Sequence, residues 1–257
     1  MQKRARRHTI AHETPSRGPR ASGQRLVAGI LTCLILLGAG GSARGVRAAA
    51  PANHARGTGL AGFHQVGTTV WRDGTRPVVF FMGALYCPFC ATERWALVQA
   101  TSRFGRWSGL RPLQSTAGVG GFGSLATYDL RQATYRSALL ALQTREVADA
   151  RSQALQPLTA RQTSLVNAYD PRGSIPMTLI GGRYAQLGSG YSPALLLGLS
   201  FSQIEAHVTH QPTSTLARAI AAEANVLRAL ICATLPPAPR GTAACRTPAV
   251  RALLSRL

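Results

Sequence analysis

VVFFMGALYCPFC, residues 78–90, is the stretch on which the reading of this chain turns. Val78 to Leu85 form a continuous apolar run rich in β-branched and aromatic types, the pattern of a strand buried on both faces. The run ends at Tyr86-Cys87-Pro88-Phe89-Cys90, and a helical pattern follows through Trp95, Leu97, Val98 and Phe104 until Gly105 stops it. Pro88 falls in the first turn of that helix, where a missing N–H costs nothing. Cys87 is thereby placed at a helix N-terminus, where unpaired N–H groups and the helix dipole stabilise a thiolate, the species that attacks disulfides. Cys90, three residues on, is placed to reach back and expel whatever Cys87 captures. Cys87 is the expected nucleophile and Cys90 the resolving thiol, with Pro88, Phe89 and Tyr86 flanking the sulfurs.

A zinc half-site and a purely structural bridge are the competing readings of a CxxC. Zinc needs a second ligand pair. Cys232 and Cys245 have no nearby histidine, and His64, His207 and His210 show no ligand spacing. No metal and no cofactor beyond a redox-active disulfide are expected.

Working outward toward the N-terminus, the segment 44–70 is rich in Ala, Gly and small polar residues and reads as a tether. Before it, LVAGILTCLILLGAG from Leu26 to Gly40 is uncharged and apolar, and its leader is strongly basic. That combination is an export signal or an N-terminal membrane anchor, with Cys33 a small hydrophobe inside it. The expected division is a basic cytoplasmic leader over 1–25, a signal or transmembrane segment over 26–43, the tether over 44–70 and one folded domain over 71–257. The domain is expected outside the cytoplasm, secreted or held by the anchor.

Toward the C-terminus, the glycine-rich stretch 110–129 reads as a loop, and 135–147 as either strand or helix. Thr159-Ala160-Arg161-Gln162 is a capping box for a helix reaching Tyr169. Ser174-Ile175-Pro176 leads into a strand over 177–180, and Gly181-Gly182 reads as a two-residue hairpin turn with a return strand over 183–187. Ser192-Pro193 starts a Leu-rich helix, with Ser202 and Glu205 as a second cap. A last long helix runs from after Pro212 to Cys232.

The order buried strand, CxxC helix, Ile-Pro, strand, glycine hairpin, strand and helix resembles the thioredoxin fold. The stretch 77–105 with its GALYCPFCATERWAL core, the Tyr169-Asp170-Pro171 turn, residues 175–191 and the helix ending in Cys232 with a partner Cys245 are similar to the thioredoxin-like domain-of-unknown-function family 929. The resemblance covers most of residues 65–250. It implies an α/β fold with a central mixed sheet flanked by helices, extra C-terminal helices, and redox-type cysteines. It also implies a cis Ile175-Pro176 facing the active-site sulfur, so Ile175 and Pro176 join Pro88 and Phe89 as expected substrate-binding residues.

The strand before Cys87 carries no carboxylate to handle the second proton. Glu93, one turn past Cys90, is a possible substitute; the alternative is a solvated Glu beside Arg94. Cys232 and Cys245 read as a structural disulfide, with a second redox pair as the sharper alternative.

The 257 residues carry 29 basic and 9 acidic side chains. Nine of the basic residues and only Glu13 among the acids lie in the first fifty, so the remainder is still strongly basic. No nucleic-acid motif accompanies that charge, and no lysine follows Lys3, so anionic lipid headgroups or wall polymers are better-matched polyanions. The expected activity is thiol–disulfide exchange with exported cysteine-containing proteins or a membrane redox partner. The competing class is a non-catalytic thioredoxin-like surface binding module.

Overall fold

A computed structural model of the chain describes residues 56–60 and 62–257. The expected leader, the apolar segment 26–43 and Cys33 lie outside the described residues. Among the described residues no helix is long and apolar enough to cross a membrane.

The eleven strands among the described residues are β1 (Arg56–Leu60), β2 (Phe63–Gln65), β3 (Arg72–Asp73), β4 (Arg76–Gly83), β5 (Arg106–Ser108), β6 (Arg111–Gln114), β7 (Ala126–Asp129), β8 (Thr134–Arg136), β9 (Ala141–Glu146), β10 (Met177–Ile180) and β11 (Tyr184–Leu187). The six helices among the described residues are α1 (Pro88–Thr101), α2 (Ala160–Tyr169), α3 (Phe201–His210), α4 (Thr215–Thr234), α5 (Pro237–Arg240) and α6 (Pro248–Leu254).

The fold is mixed α/β. Its main sheet has the path β1-β2-β11-β10-β4-β3, with β9 also on β4. All pairings are antiparallel except β4 with β9, where Val78 lies opposite Ala141 and Gly83 opposite Glu146. Period-two alternation along β4 divides the core in two. Val79 and Phe81 pack with α1 and α4 residues such as Leu97, Leu227 and Leu230. Val78, Phe80 and Met82 pack on the other face with Met177, Leu179 and Val166 of α2. That two-sided burial is why the strand reads as an unbroken apolar run.

Several elements depart from the sequence reading. Part of the expected tether is sheet: β1 and β2 add to the β11 edge, where Phe63 and Leu60 are buried. The expected loop over 110–129 begins and ends as the β6–β7 hairpin, leaving only its glycine-rich middle as a turn. The ambiguous stretch 135–147 holds no helix: it is the end of β8, paired with β5, then a bend, then β9, paired with β4. The β10–β11 connection has three residues, because Ile180 pairs with Tyr184; Gly181 and Gly182 both take positive φ, at 59° and 65°. The Leu-rich helix at Ser192-Pro193 is a single 3-10 turn over Pro193–Leu196, and Gly198 at φ 73° separates it from α3. The cap of α3 is the Ser200–Gln203 capping box, not Ser202 with Glu205. The Thr159–Gln162 capping box forms with both reciprocal bonds.

Candidate functional site

Two short backbone bonds carry the chain from β4 into α1. Leu85 N–H donates to the Ala148 carbonyl at 2.9 Å, and Cys87 N–H to the Ala84 carbonyl at 3.3 Å. Cys87 then sits at the N-cap with extended φ/ψ, and its Sγ accepts the Cys90 N–H at 3.3 Å. A cap is normally an oxygen. Here a sulfur takes that place, so the helix N-terminus is aimed at the candidate nucleophile. Both thiols are free and buried.

The two thiols are electrically unlike. The hydrogen bond from Cys90 outweighs desolvation and, helped by backbone N–H groups and the Arg94 charge, lowers Cys87 to about 7. Burial first, and then the Cys87 thiol, hold Cys90 well above the ordinary range. Cys90 Sγ accepts from Ala84 N–H at 3.4 Å. The geometry gives one sulfur ready to ionise near neutrality and one kept as a thiol behind it.

The Ile175–Pro176 bond is cis. The Ile175 carbonyl lies 3.8 Å from Cys87 Sγ, which brings Ile175 and Pro176 to the site across 88 residues of chain. The segment before them is fixed by Asp170, whose buried carboxylate accepts the Ser174 N–H. Pro88 is buried in the first turn of α1. Phe89 points outward, 37% exposed, with its ring edge-on to Phe122 at 5.7 Å. The turn carrying Phe122 closes through Gly118 N–H to the Phe122 carbonyl at 2.7 Å. The glycine-rich middle of the β6–β7 hairpin therefore stands beside the CPFC motif. Tyr86 is half-buried, its carbonyl accepting from Thr116 N–H at 3.2 Å.

Glu93 is not a solvated residue. Its side chain is fully buried, because α1 is covered by the sheet, by α4, by β7 and by the 193–196 turn, leaving no solvent face in its middle. Gly190 N–H donates to Glu93 Oε2 at 3.4 Å. A second carboxyl, Glu223 of α4, lies against the same glycine and accepts from Gln186 Nε2 at 3.2 Å. Burial, and then the charge of Glu223, hold the Glu93 carboxyl well above the usual range. Burial raises Glu223 to about 7. Glu93 Oε1 and Glu223 Oε2 have no hydrogen-bond partner among the described residues. A proton on the pair answers both the burial and the repulsion.

Arg94, the next residue, is fully buried too. Its Nε donates to Glu146 Oε1 at 2.9 Å, and its Nη2 donates to Glu146 Oε2 at 2.6 Å and to the Ala84 carbonyl at 2.9 Å. Sequence reasoning passed over Arg94 as a functional group, and over Glu146 and Glu223 altogether. Glu146 ends a strand whose parallel pairing no local pattern announces. Glu223 occupies the buried face of α4, and its place in the apolar periodicity of Leu216, Ile220, Leu227 and Leu230 was the one available signal.

Away from this site, Cys232 in the last turn of α4 forms a disulfide with Cys245, with the Cα atoms 5.8 Å apart. His64 lies in β2 and His207 and His210 in α3. Among the described residues no group of three or more His, Cys, Asp or Glu side chains is arranged to hold a metal ion.

Residues 63–137 match the family described as Domain of unknown function (DUF929). The matched stretch runs from β2 through β4, the CPFC motif and α1 to β8, and over those residues it is the family 929 that the sequence resembles. No curated protein and no solved structure matches the chain.

Proposed function

We propose that this chain is a thiol–disulfide oxidoreductase of thioredoxin-like fold that acts outside the cytoplasm on exported cysteine-containing proteins through Cys87 and Cys90. The observation that carries the reading is the unequal pair at the head of α1: a capping sulfur with its pKa lowered to about 7 and a buried thiol three residues on. The Ile175 carbonyl beside Cys87 Sγ and the strand-to-helix placement of the cysteines support the thioredoxin-like assignment. The basic leader and apolar segment in the sequence support export, and a redox partner in the membrane is a further expected contact.

In the reducing direction, the Cys87 thiolate attacks one sulfur of a client disulfide. A mixed disulfide forms and the other client sulfur leaves as thiolate. Cys90 gives up its proton and attacks Cys87 Sγ, which forms the Cys87–Cys90 bond and frees the second client sulfur. Two electrons pass from the protein dithiol to the client, and the reverse sequence oxidises a client dithiol. Glu93, one turn beyond Cys90 and biased toward its protonated form, is our candidate for exchanging the Cys90 proton. Ile175 and Pro176 near the sulfur, with the exposed Phe89 at its rim and Pro88 buried behind it, are the candidate client contacts.

Two measurements test the reading. Alkylation of Cys87 in the reduced protein should rise with a midpoint near pH 7, and Cys87 and Cys90 should cycle between thiol and disulfide in glutathione buffers. Cys90→Ser should accumulate mixed disulfides that Cys87→Ser does not form. A wild-type pair that alkylates only after denaturation, or never forms its disulfide, removes the proposal.

A further inference from the structure

Arg94 is the one arginine in the described core, and its position relative to the sulfurs is unusual for a residue whose contacts otherwise read as a plain buried ion pair. Glu146 grips its Nε and Nη2 in a two-point contact, and the Nη2 also binds the Ala84 carbonyl. Ala84 in turn donates its own N–H to Cys90 Sγ. One residue just past the end of β4 is thus held by Arg94 on its carbonyl side and serves the sulfur on its amide side. Arg94 Nη1 is buried and has no hydrogen-bond partner among the described residues. Arg94 also follows Cys90 by four positions on α1, which puts both on one helix face.

We infer that Arg94 is the positioning residue for Cys90: clamped by Glu146, it fixes the Ala84 amide against the sulfur and supplies the buried positive charge that stabilises Cys90 as a thiolate. This rests on the redox reading above. The relevant step is the opening of the Cys87–Cys90 disulfide by an incoming thiolate. A bond forms between the incoming sulfur and Cys87 Sγ, the Cys87–Cys90 bond breaks, and Cys90 departs carrying the electron pair. No water reaches that anion, since Cys90 is fully buried. An uncompensated buried charge is costly, so the leaving thiolate depends on Ala84 N–H and on the guanidinium. The field of Arg94 lowers both thiols, consistent with this role. Glu146 holds the cation in place and offsets its burial cost.

The test compares R94Q, the neutral pair R94Q/E146Q and R94K in the full chain. The double variant keeps two hydrogen-bonding side chains and strands no charge, which separates a structural role from an electrostatic one. With dithiothreitol at pH 7, disulfide opening in a folded R94Q/E146Q should slow about tenfold or more, and the Cys87 alkylation midpoint should move to higher pH; R94K should recover part of both. A folded double variant with wild-type opening rate and midpoint overturns the inference. Because these variants can fail to fold, the wild type supplies a second arm. The Arg94 guanidinium NMR resonances should shift between disulfide and dithiol and titrate with the Cys87 midpoint, and resonances indifferent to both overturn it equally. A wild-type pair that never cycles sinks the redox reading itself, whereas cycling that is indifferent to Arg94 sinks only this step.

Discussion

Glu93 and Glu223 put two carboxyls in one buried place, and the consequence is a pH dependence with a definite sign. Burial raises Glu223 from an ordinary value of 4.5 to about 7. A carboxyl with a higher pKa when folded holds its proton where the unfolded chain has released it. The folded state is therefore least penalised below the unfolded value, and stability is lost as pH rises from about 4.5 through about 7, above which the penalty levels off. Glu223→Gln is neutral at every pH and should flatten that decline, recovering up to roughly 3 kcal/mol at pH 8. Urea unfolding of both proteins between pH 5 and 8 measures it, and parallel curves would refute the assignment. Glu93 was visible in the sequence as a chemical candidate, one turn from Cys90. Its burial was not, because a Glu-Arg dipeptide beside Trp95 looks the same in a solvated helix and in a covered one. The cover comes from α4 and β7, residues far along the chain.

Among the elements, α4 is the longest and the one most tied to the rest, packing on α1, the sheet, α3 and α6. Its end is fixed to the 3-10 turn over Ala243–Cys245 by the Cys232–Cys245 disulfide, which closes a loop of sequence separation 13. Constraining a loop of that size is worth about 3 kcal/mol in the chain-entropy account. The double replacement of Cys232 and Cys245 by alanine should lower the thermal midpoint by several degrees under oxidising conditions while leaving Cys87–Cys90 exchange intact. Lost exchange with an unaltered midpoint would instead identify a second redox pair. The misread cap of α3 belongs to this scale too. Ser200-x-x-Gln203 and Ser202-x-x-Glu205 carry the same local signal two residues apart, and what separates them is where Gly198 ends the preceding turn.

Across the whole molecule, charge is distributed less evenly than composition suggests. Eight acidic residues follow position 56, and four of them (Glu93, Glu146, Asp170 and Glu223) are buried. Of the arginines in the described part, only Arg94 is buried. Folding therefore withdraws negative charge and leaves the surface more basic than the sequence total. With the first 50 residues removed, the protein should still bind vesicles containing phosphatidylglycerol in preference to phosphatidylcholine alone. Raising salt from about 0.05 to 0.5 M should release it, as screening shortens the reach of the surface charge. Sedimentation with vesicles reads this directly, and equal binding to neutral vesicles would discard the electrostatic account.

The features that the amino-acid order determined are those made by residues a few positions apart. The buried strand, the CPFC helix start with Pro88 in its first turn, the Thr159–Gln162 cap and the glycines at 181 and 182 all follow from local sterics and short hydrogen bonds. Only the tertiary structure could decide what surrounds the sulfurs. The parallel alignment of β9 with β4 sets Glu146 against Arg94 across 52 residues, the β10 entry carries Ile175 to Cys87, and α4 lays Glu223 beside Glu93. Those meetings are products of packing between distant segments, and no periodicity within either segment encodes its partner.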